Sequence, residues 1–358
     1  MPNALQIAQG RQVPLTTGML MALFIDTPLL RALDVRPSQS TKFLSLAIKS
    51  LPTAGPFVNY NEGFSSSDAE LELREFDCSL VGGQIKAERI TARKWDREHA
   101  ASGYTWLDLQ TQLKLKAQGI ELERQVIRGT AYDAKGFPGL KELTPYVSSN
   151  VYALTTTSAS GSFAKSVINA GGTQAGTASS VYAIIDGEMD VQLVVGDDMN
   201  NGGEFFKLED PIESNEAPDS TQATKKSIHD IIQFSGHIGL SVSAFNQSPN
   251  SVVPTQFSVR RLANLTTDTA AKLSDSMMSK LARSFGPGKR PSRFAMATRS
   301  GEYLAASRQA TAVSFFMGQS GNASNAVANI YPPPPDNWEG IPIHYADLAI
   351  GESDTVES

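Results

Sequence analysis

The chain has 358 residues, a formal net charge of −6 and a sequence pI of about 5.4. That length can bury one large core or roughly two to three smaller ones. The charge excludes a protein dedicated to gripping duplex DNA, because phosphate contacts dominate such binding and require a basic excess. No apolar run is long enough to span a membrane. The single cysteine, Cys78, excludes an intramolecular disulfide.

Residues 1–50 are predicted to form an N-terminal arm with partial structure. The apolar stretch from Leu15 to Leu29 is broken near its end by Pro28, and Arg36-Pro37 and a Ser/Thr cluster follow it. Such a segment buries little surface against itself. We therefore expect it to lie on a neighbouring subunit.

Residues 51–95 are predicted to form an extended β-hairpin. Apolar residues recur near period two in 71–80 and, less regularly, in 85–90. Gly82-Gly83 between these runs predicts a turn or a bulge. A two-stranded ribbon with little apolar cover is marginally stable by itself. The hairpin is therefore expected to pack on an adjacent subunit.

Residues Tyr104 to Arg128 give the strongest helix pattern in the chain. Apolar residues recur at three- and four-residue steps on one predicted face: Trp106, Leu109, Leu113, Ala117, Ile120 and Ile127. At about 1.5 Å per residue the helix would span roughly 35–40 Å. Gly129 is placed to act as its C-cap.

The rest of the chain alternates predicted strands with polar loops. Strands are predicted at 180–185, 191–195, 228–245 and 255–262, with loops at 155–180 and 209–224. A capped helix is predicted over 266–282, with Thr266 to Asp268 as N-cap and first-turn candidates. A strand-like run at 291–298 leads into a helical pattern at 302–309. A last strand, 341–345, follows Trp338.

The sequence contains none of the common catalytic motifs. It has no Walker A loop, no dinucleotide fingerprint, no HExxH and no CxxC. The four histidines, His99, His229, His237 and His344, have no metal-ligand spacing. We therefore predict a protein that is not an enzyme and that uses no cofactor or metal.

Short basic pairs are candidates for contact with nucleic acid: Lys225-Lys226, Arg260-Arg261, and Lys289-Arg290 with Arg293. The first candidates are Lys225, Lys226, Lys289 and Arg290. Pairs this short predict weak, non-specific attraction to phosphates. The alternative interpretation is that they serve solubility or ion pairing at an interface.

Three segments in a fixed order resemble the major capsid proteins of tailed bacteriophages, which have the Hong Kong 97-like (Johnson) fold. They are residues 128–140, 291–298 and 338–347. Phe137-Pro-Gly-Leu140 is similar to a signature that follows the long spine helix in this family. Residues 179–185, Gly239-Leu240 and Arg261-Leu-Ala-Asn264 look like a motif order of short-tailed-phage capsid proteins. In part of that group the strand connectivity is permuted.

The resemblance implies an α+β fold with four parts. These are an N-terminal arm (1–50), an extended loop (51–95), a peripheral domain with the spine helix (96–145 and 178–262) and an axial domain (146–177 and 263–358). It also implies that Phe137, Gly139 and Leu140 are critical for assembly. We expect Gly139 to need a positive φ, which glycine adopts readily.

The resemblance further implies a shell protein of the virion, assembled in the host cytoplasm around packaged double-stranded DNA. The implied partners are copies of the chain in hexamers and pentamers, a portal protein and a cement or decoration protein. Because the chain lacks a long coiled-coil leader, a separate scaffolding protein is also expected. Two alternatives remain open: a soluble α+β module that binds carbohydrate or peptide, and a cellular encapsulin-type shell, which the short-tailed-phage motif order disfavours.

Overall fold

The computed structural model describes residues 27–38, 40–50, 57–59, 63, 66, 68, 70–98, 105–148, 150–154, 165–187, 190–196, 206–216, 227–242, 258–285, 289–317 and 333–358. The chain divides into two compact units. The first comprises Met1–Phe43, Asp77–Phe137 and Leu193–Leu240, and the second comprises Leu44–Phe76, Pro138–Gln192 and Ser241–Ser358.

The described residues contain six α-helices and fifteen strands. The helices are α1 (Pro28–Ala32), α2 (Arg89–Glu98), α3 (Trp106–Arg128), α4 (Leu140–Leu143), α5 (Asp275–Arg283) and α6 (Thr298–Met317). The strands are β1 (Val35–Pro37), β2 (Lys42–Ser50), β3 (Glu70–Asp77), β4 (Ser79–Glu88), β5 (Val151–Ala153), β6 (Val167–Asn169), β7 (Ser179–Ile184), β8 (Val191–Gly196), β9 (Lys207–Leu208), β10 (Ile212–Glu216), β11 (Ser227–Val242), β12 (Val259–Leu265), β13 (Arg293–Met296), β14 (Asn337–Trp338) and β15 (Ile341–Tyr345). None of the helices in the described ranges is both long enough and apolar enough to cross a membrane.

The first unit is built on a sheet with the order β1-β8-β11-β10, and β4 and β9 also pair with β11. Strand β11 has 16 residues, so several partners align along it. Strand β4 runs antiparallel to β11, from Ser79 opposite Ile238 to Glu88 opposite His229. Helix α3 packs against β4, α2 and α1.

The predicted turn at Gly82-Gly83 is wrong, because both glycines lie inside β4, whose pairing with β11 is continuous. A Cβ at Gly82 would lie 2.7 Å from the carbonyl oxygen of Phe234, and one at Gly83 would lie 2.6 Å from the Phe234 ring. The glycines therefore permit close approach to β11. The hairpin instead pairs β2 with β3, so its first strand lies within the predicted arm.

The second unit is built on a seven-stranded sheet with the order β14-β15-β13-β7-β12-β6-β5. Helix α5 packs against β12 and α6. The largest side chains of its core include Phe294, Trp338 and Met278, all at most 1% exposed. Residues 178–192 and 241–262 belong to this unit, because β7 and β12 pair with each other and β7 pairs with β13. The predicted grouping of all of 178–262 with the spine helix is therefore wrong.

The long helix is confirmed as α3, but its predicted buried face is wrong. Thr105 and Asp108 form a capping box at its start, and Gly129, with φ 66°, ends it. The residues buried at three- and four-residue steps are Asp108, Thr111, Leu115, Gly119, Leu122 and Val126. Leu113, on the predicted stripe, is 53% exposed. Counting only apolar residues missed this face, because polar Thr111 is satisfied by the Leu107 carbonyl at 2.8 Å and Gly119 adds no side chain.

The predicted helix over 266–282 begins later than expected. A 3₁₀ turn, Thr269–Ala271, precedes α5, and Ser274 occupies the N-cap position. The carboxylate of Asp268 accepts hydrogen bonds from the backbone N–H groups of Thr173 and Gln174, at 3.0 and 3.1 Å. Asp268 therefore orders the 171–177 loop and does not cap the helix.

Candidate assembly determinants

The turn after α3 is fixed by a glutamine that the sequence pattern did not single out. The side-chain amide of Gln125, only 7% exposed, donates to the Phe137 carbonyl at 2.8 Å. A Cβ at Gly136 would lie 2.2 Å from that amide nitrogen. A side chain at Gly136 would therefore displace the Gln125 amide from its present position. Phe137 itself is 2% exposed.

The predicted positive φ at Gly139 is wrong. Gly139 has φ −96° and ψ 174°, an extended conformation open to any residue, and it occupies the N-cap position of α4. It is nevertheless buried, as is Leu140, which is fully inaccessible to solvent. A large side chain at Gly139 would therefore be disfavoured by space and not by backbone strain. The assembly role of Phe137, Gly139 and Leu140 stays a prediction.

The C-terminus is held to the second unit by a group that we call the C-terminal clasp: Arg261, Asn264, Lys141 and Glu357. Arg261 is 2% exposed and donates from Nη2 to Glu357 Oε1 at 2.6 Å. Lys141 Nζ lies 3.1 Å from the same oxygen. Asn264 and Glu357 exchange two hydrogen bonds, from Asn264 Nδ2 to the Glu357 carbonyl at 2.8 Å and from the Glu357 N–H to Asn264 Oδ1 at 2.9 Å.

Asn264 also explains the end of the Arg-x-x-Asn motif. The register of β12 against β7 shifts between Leu262 and Leu265. Asn264, within that irregularity, has φ 58°, a left-handed conformation that asparagine tolerates better than most residues. The shifted backbone presents the Asn264 amide to the C-terminal segment. The motif therefore supplies one charge and one amide to the clasp.

The electrostatics of the clasp favour an ionised Glu357. Burial alone would raise the pKa of this carboxyl, but the hydrogen bond and charge of Arg261, together with Lys141, outweigh burial and lower the pKa. The folded-state pKa therefore lies below the unfolded one. The stabilisation is present above the unfolded pKa and is lost as the pH falls through the folded pKa.

The segment from Trp338 to Asp347 anchors the sheet of the second unit to its helices. The Trp338 ring meets Phe294 edge-on at a centroid distance of 5.9 Å, and its Nε1 donates to Asp275 Oδ1 at 2.9 Å. At the other end, the Asp347 carboxylate accepts from the backbone N–H and the hydroxyl of Thr298, at 2.5 and 2.6 Å. Asp347 therefore caps α6.

The basic candidates do not form a described cluster. Lys289 and Arg290 are exposed and adjacent in the chain directly before β13. Lys225 and Lys226 lie outside the described residues. The structure therefore places two of the four side chains on a surface, and their contact with DNA stays a prediction.

The remaining side chains with possible reactivity in the described ranges include Cys78 and His344. Within the described ranges, no group of three or more His, Cys, Asp and Glu side chains could hold a metal ion. Burial raises the pKa of the Cys78 thiol to about 11. The thiol is therefore protonated and unreactive at neutral pH. Burial, followed by the charge of Arg293, lowers the pKa of His344.

Comparison with solved structures gives the fold. Over 90% of this chain and 88% of the other, the chain is similar to a cryo-EM structure of bacteriophage epsilon15, with 13% identity and a TM-score of 0.51. It is more distantly similar to the SrpI encapsulin of Synechococcus elongatus, with 9% identity over 68% and 89% of the two chains and a TM-score of 0.41. A procapsid of bacteriophage JBD30 matches over 96% and 99%, with 12% identity and a TM-score of 0.33. No protein-family model and no curated protein matches the sequence.

The arrangement of the helices and strands agrees with the similarity to the epsilon15 structure. A long helix on the sheet of one unit, a second unit with its own sheet and helices, and a β2–β3 ribbon are all present. The chain has the Hong Kong 97-like α+β fold.

Proposed function

We propose that this chain is the major capsid protein of a tailed phage and that it self-assembles into the icosahedral head shell. The observation that carries the proposal is the likeness to the epsilon15 structure over nine-tenths of the chain. The absence of a basic excess supports it further, because a wall along which packaged DNA slides has no need of tight phosphate contacts.

Within such a shell, we assign the first unit to the peripheral domain, because it contains the long helix α3. The second unit, with its seven-stranded sheet, would then be the axial domain around five- and six-fold axes. The partners would be copies of the chain in hexamers and pentamers, a portal protein, a separate scaffolding protein and a decoration protein. The finished location would be the virion, after assembly in the host cytoplasm.

Sedimentation and negative-stain electron microscopy of the purified chain test this proposal. The expected result is a concentration-dependent population of rings, sheets or shells, because many weak interfaces cooperate in such assemblies. The matched control replaces residues 51–69 between β2 and β3 with a short Gly/Ser linker. The control should keep the circular dichroism of the parent and assemble less. A chain that remains monomeric at every concentration would contradict the proposal.

The β2–β3 ribbon is predicted to pack on an adjacent subunit. Among the described strands, β2 and β3 pair only with each other, and Phe57, in the connection between them, is fully exposed. Hydrogen exchange of residues 42–50 and 70–77 should be fast in unassembled subunits and slower in assemblies, because an isolated two-stranded ribbon is marginally stable. Residues 179–184, in the middle of a sheet, serve as the internal control. Equal exchange of the ribbon in both states would contradict this placement.

The subunit is predicted to bind DNA weakly and without sequence preference. The net charge is −6, and Lys289 with Arg290 makes only a short basic pair. Each such residue adds an attraction that salt screens over about 8 Å at physiological ionic strength. Filter binding against duplex DNA across salt concentrations measures this, with the double substitution Lys289→Gln and Arg290→Gln as the comparison. Tight, sequence-selective binding at physiological salt would show a dedicated site.

A further inference from the structure

Glu123 lies on the buried face of α3 and is only 2% exposed. Its Oε1 accepts a hydrogen bond of 2.8 Å from the backbone N–H of Leu29, which lies 94 positions away in the chain. The first-turn N–H groups of a helix have no partner within the helix. In α1 the side chain of the N-cap residue, Thr27, does not cap them. The Glu123 carboxyl takes that role from another element.

Helix α1 and the residue that follows it also bury three leucines. Leu29 and Leu30 are fully inaccessible to solvent, and Leu33 is 4% exposed. A helix of five residues is not stable in isolation, so tertiary contacts must hold it in place. Two interactions therefore keep α1 on the spine helix: the burial of its leucines and the Glu123 hydrogen bond.

The chain that follows α1 is held in a different way. Strand β1 pairs in parallel with β8, from Val35 opposite Leu193 to Pro37 opposite Val195. The Ser38 N–H donates to the Val195 carbonyl at 2.7 Å. These bonds are between backbone groups and do not titrate. Residues 35–38 can therefore stay docked when α1 is released.

We propose that Glu123 is a protonation-controlled latch, which holds residues 27–33 on the spine helix when its carboxyl is neutral and loosens them when it is ionised. A neutral carboxyl keeps its carbonyl oxygen as an acceptor for Leu29 and carries no buried charge. An ionised Glu123 carboxylate would be a charge held out of water in a site where the leucines of α1 are also buried, and burying a charge is costly in free energy.

The pKa of Glu123 supports this dependence on protonation. Burial raises it to about 7, and the hydrogen bonds from the backbone of Leu29 and Leu30 oppose the shift without cancelling it. Since the folded-state pKa lies above the unfolded one, the stabilisation is complete below the unfolded pKa. It is lost as the pH rises through about 7. The latch therefore loosens progressively as the pH rises from the unfolded pKa of 4.5 to about 7.

No charged side chain is among the causes of this shift. The charged groups on the elements packed against α3 are Arg31 on α1, Lys86 and Glu88 on β4, and those of Arg89–Glu98 on α2. The neighbours of Glu123 on α3 itself are Glu121 and Arg124, which pair with each other at 2.9 Å. The latch is therefore controlled by the protonation of Glu123 and not by the titration of a partner.

Hydrogen exchange of the full chain as a function of pH, corrected for the intrinsic rate, tests the latch. Exchange of the Arg31 and Leu33 amides, which donate to Thr27 and Leu29 at 3.1 Å, reports on α1. Between about pH 5.5 and pH 7.5, their protection should fall roughly ten- to twentyfold, because the opening equilibrium changes about tenfold per pH unit between the unfolded and the folded pKa and levels off above the folded one. Residues 35–38 should show no such fall.

The substitution Glu123→Gln keeps the shape and the acceptor but removes the charge. In this variant the protection of residues 29–33 should not depend on pH, whereas the control Glu121→Gln, on the same helix, should behave as the parent does. If protection in the parent is constant across this range, or if Glu123→Gln retains the pH dependence, the latch does not exist. The pH series on the parent alone decides the matter if the variant does not fold.

Discussion

Replacing Trp338 with alanine should destabilise the second unit by about 3–5 kcal/mol, the range for removing a large buried aromatic side chain. Trp338 is 1% exposed, contacts Phe294 edge-on and donates to Asp275. Its removal would leave a cavity beside Phe294 and an Asp275 carboxylate with one donor fewer. Urea unfolding followed by hydrogen-exchange mass spectrometry can measure the loss in this unit separately.

Two variants make this result specific. Trp338→Phe keeps an aromatic ring against Phe294 and loses the indole N–H, so it should cost less than Trp338→Ala. Trp95→Ala removes the same atoms from a half-buried site in the first unit, where the centroids of the Trp95 and Trp106 rings are 5.7 Å apart. The control Trp95→Ala should leave the stability of the seven-stranded sheet in the second unit unchanged. A loss below about 1 kcal/mol for Trp338→Ala would show that the cavity collapses and that this ring is not an anchor.

Replacing Glu357 with glutamine should destabilise the second unit by about 2–3 kcal/mol, because it leaves the buried Arg261 without its closest carboxylate. Glutamine preserves the size of the side chain and the backbone exchange with Asn264. The variant therefore isolates the charge. Thermal unfolding of the parent and the variant at about pH 7 gives the difference.

The difference in stability between the parent and Glu357→Gln should depend on pH. Because the pKa of Glu357 is lowered in the folded state, the parent should lose its advantage over Glu357→Gln as the pH falls below the unfolded value of about 4.5. Ser358→Ala, at the adjacent position, is the matched control and should follow the parent. An equal difference between parent and variant at pH 7 and in strong acid would contradict the ion pair.

The sequence predicted the elements better than their faces. Helix α3 follows from its periodicity and from Gly129, because both signals are local. Its buried face cannot be predicted in the same way, since Thr111 and Gly119 suit a buried position only when particular neighbours pack against them. The same limit applies to Gly82 and Gly83. A glycine pair predicts a turn by composition, whereas in the structure the Phe234 carbonyl lies against Gly82 and the Phe234 ring lies against Gly83.

The residues of the candidate site also divide into those that the sequence indicated and those that it did not. Phe137, Leu140 and the Arg261–Asn264 motif were visible as a resemblance, and the structure finds them buried or bonded. Gln125, Glu123 and Glu357 were not visible. Each is a polar residue whose importance comes from a partner far away in the chain: the Phe137 carbonyl, the Leu29 amide and the Arg261 guanidinium. A single sequence carries no signal for such a pairing.

The central claim, a shell subunit with the second unit around the symmetry axes, is tested most directly by cryo-electron microscopy of particles assembled from the purified chain. The expected reconstruction is an icosahedral shell of five- and six-membered rings. In it, the seven-stranded sheet of β14-β15-β13-β7-β12-β6-β5 should surround each axis, and α3 should lie away from the axis. A reconstruction in which the two units exchange these positions would contradict the domain assignment. Closed oligomers of another symmetry, or monomers alone, would contradict the claim itself.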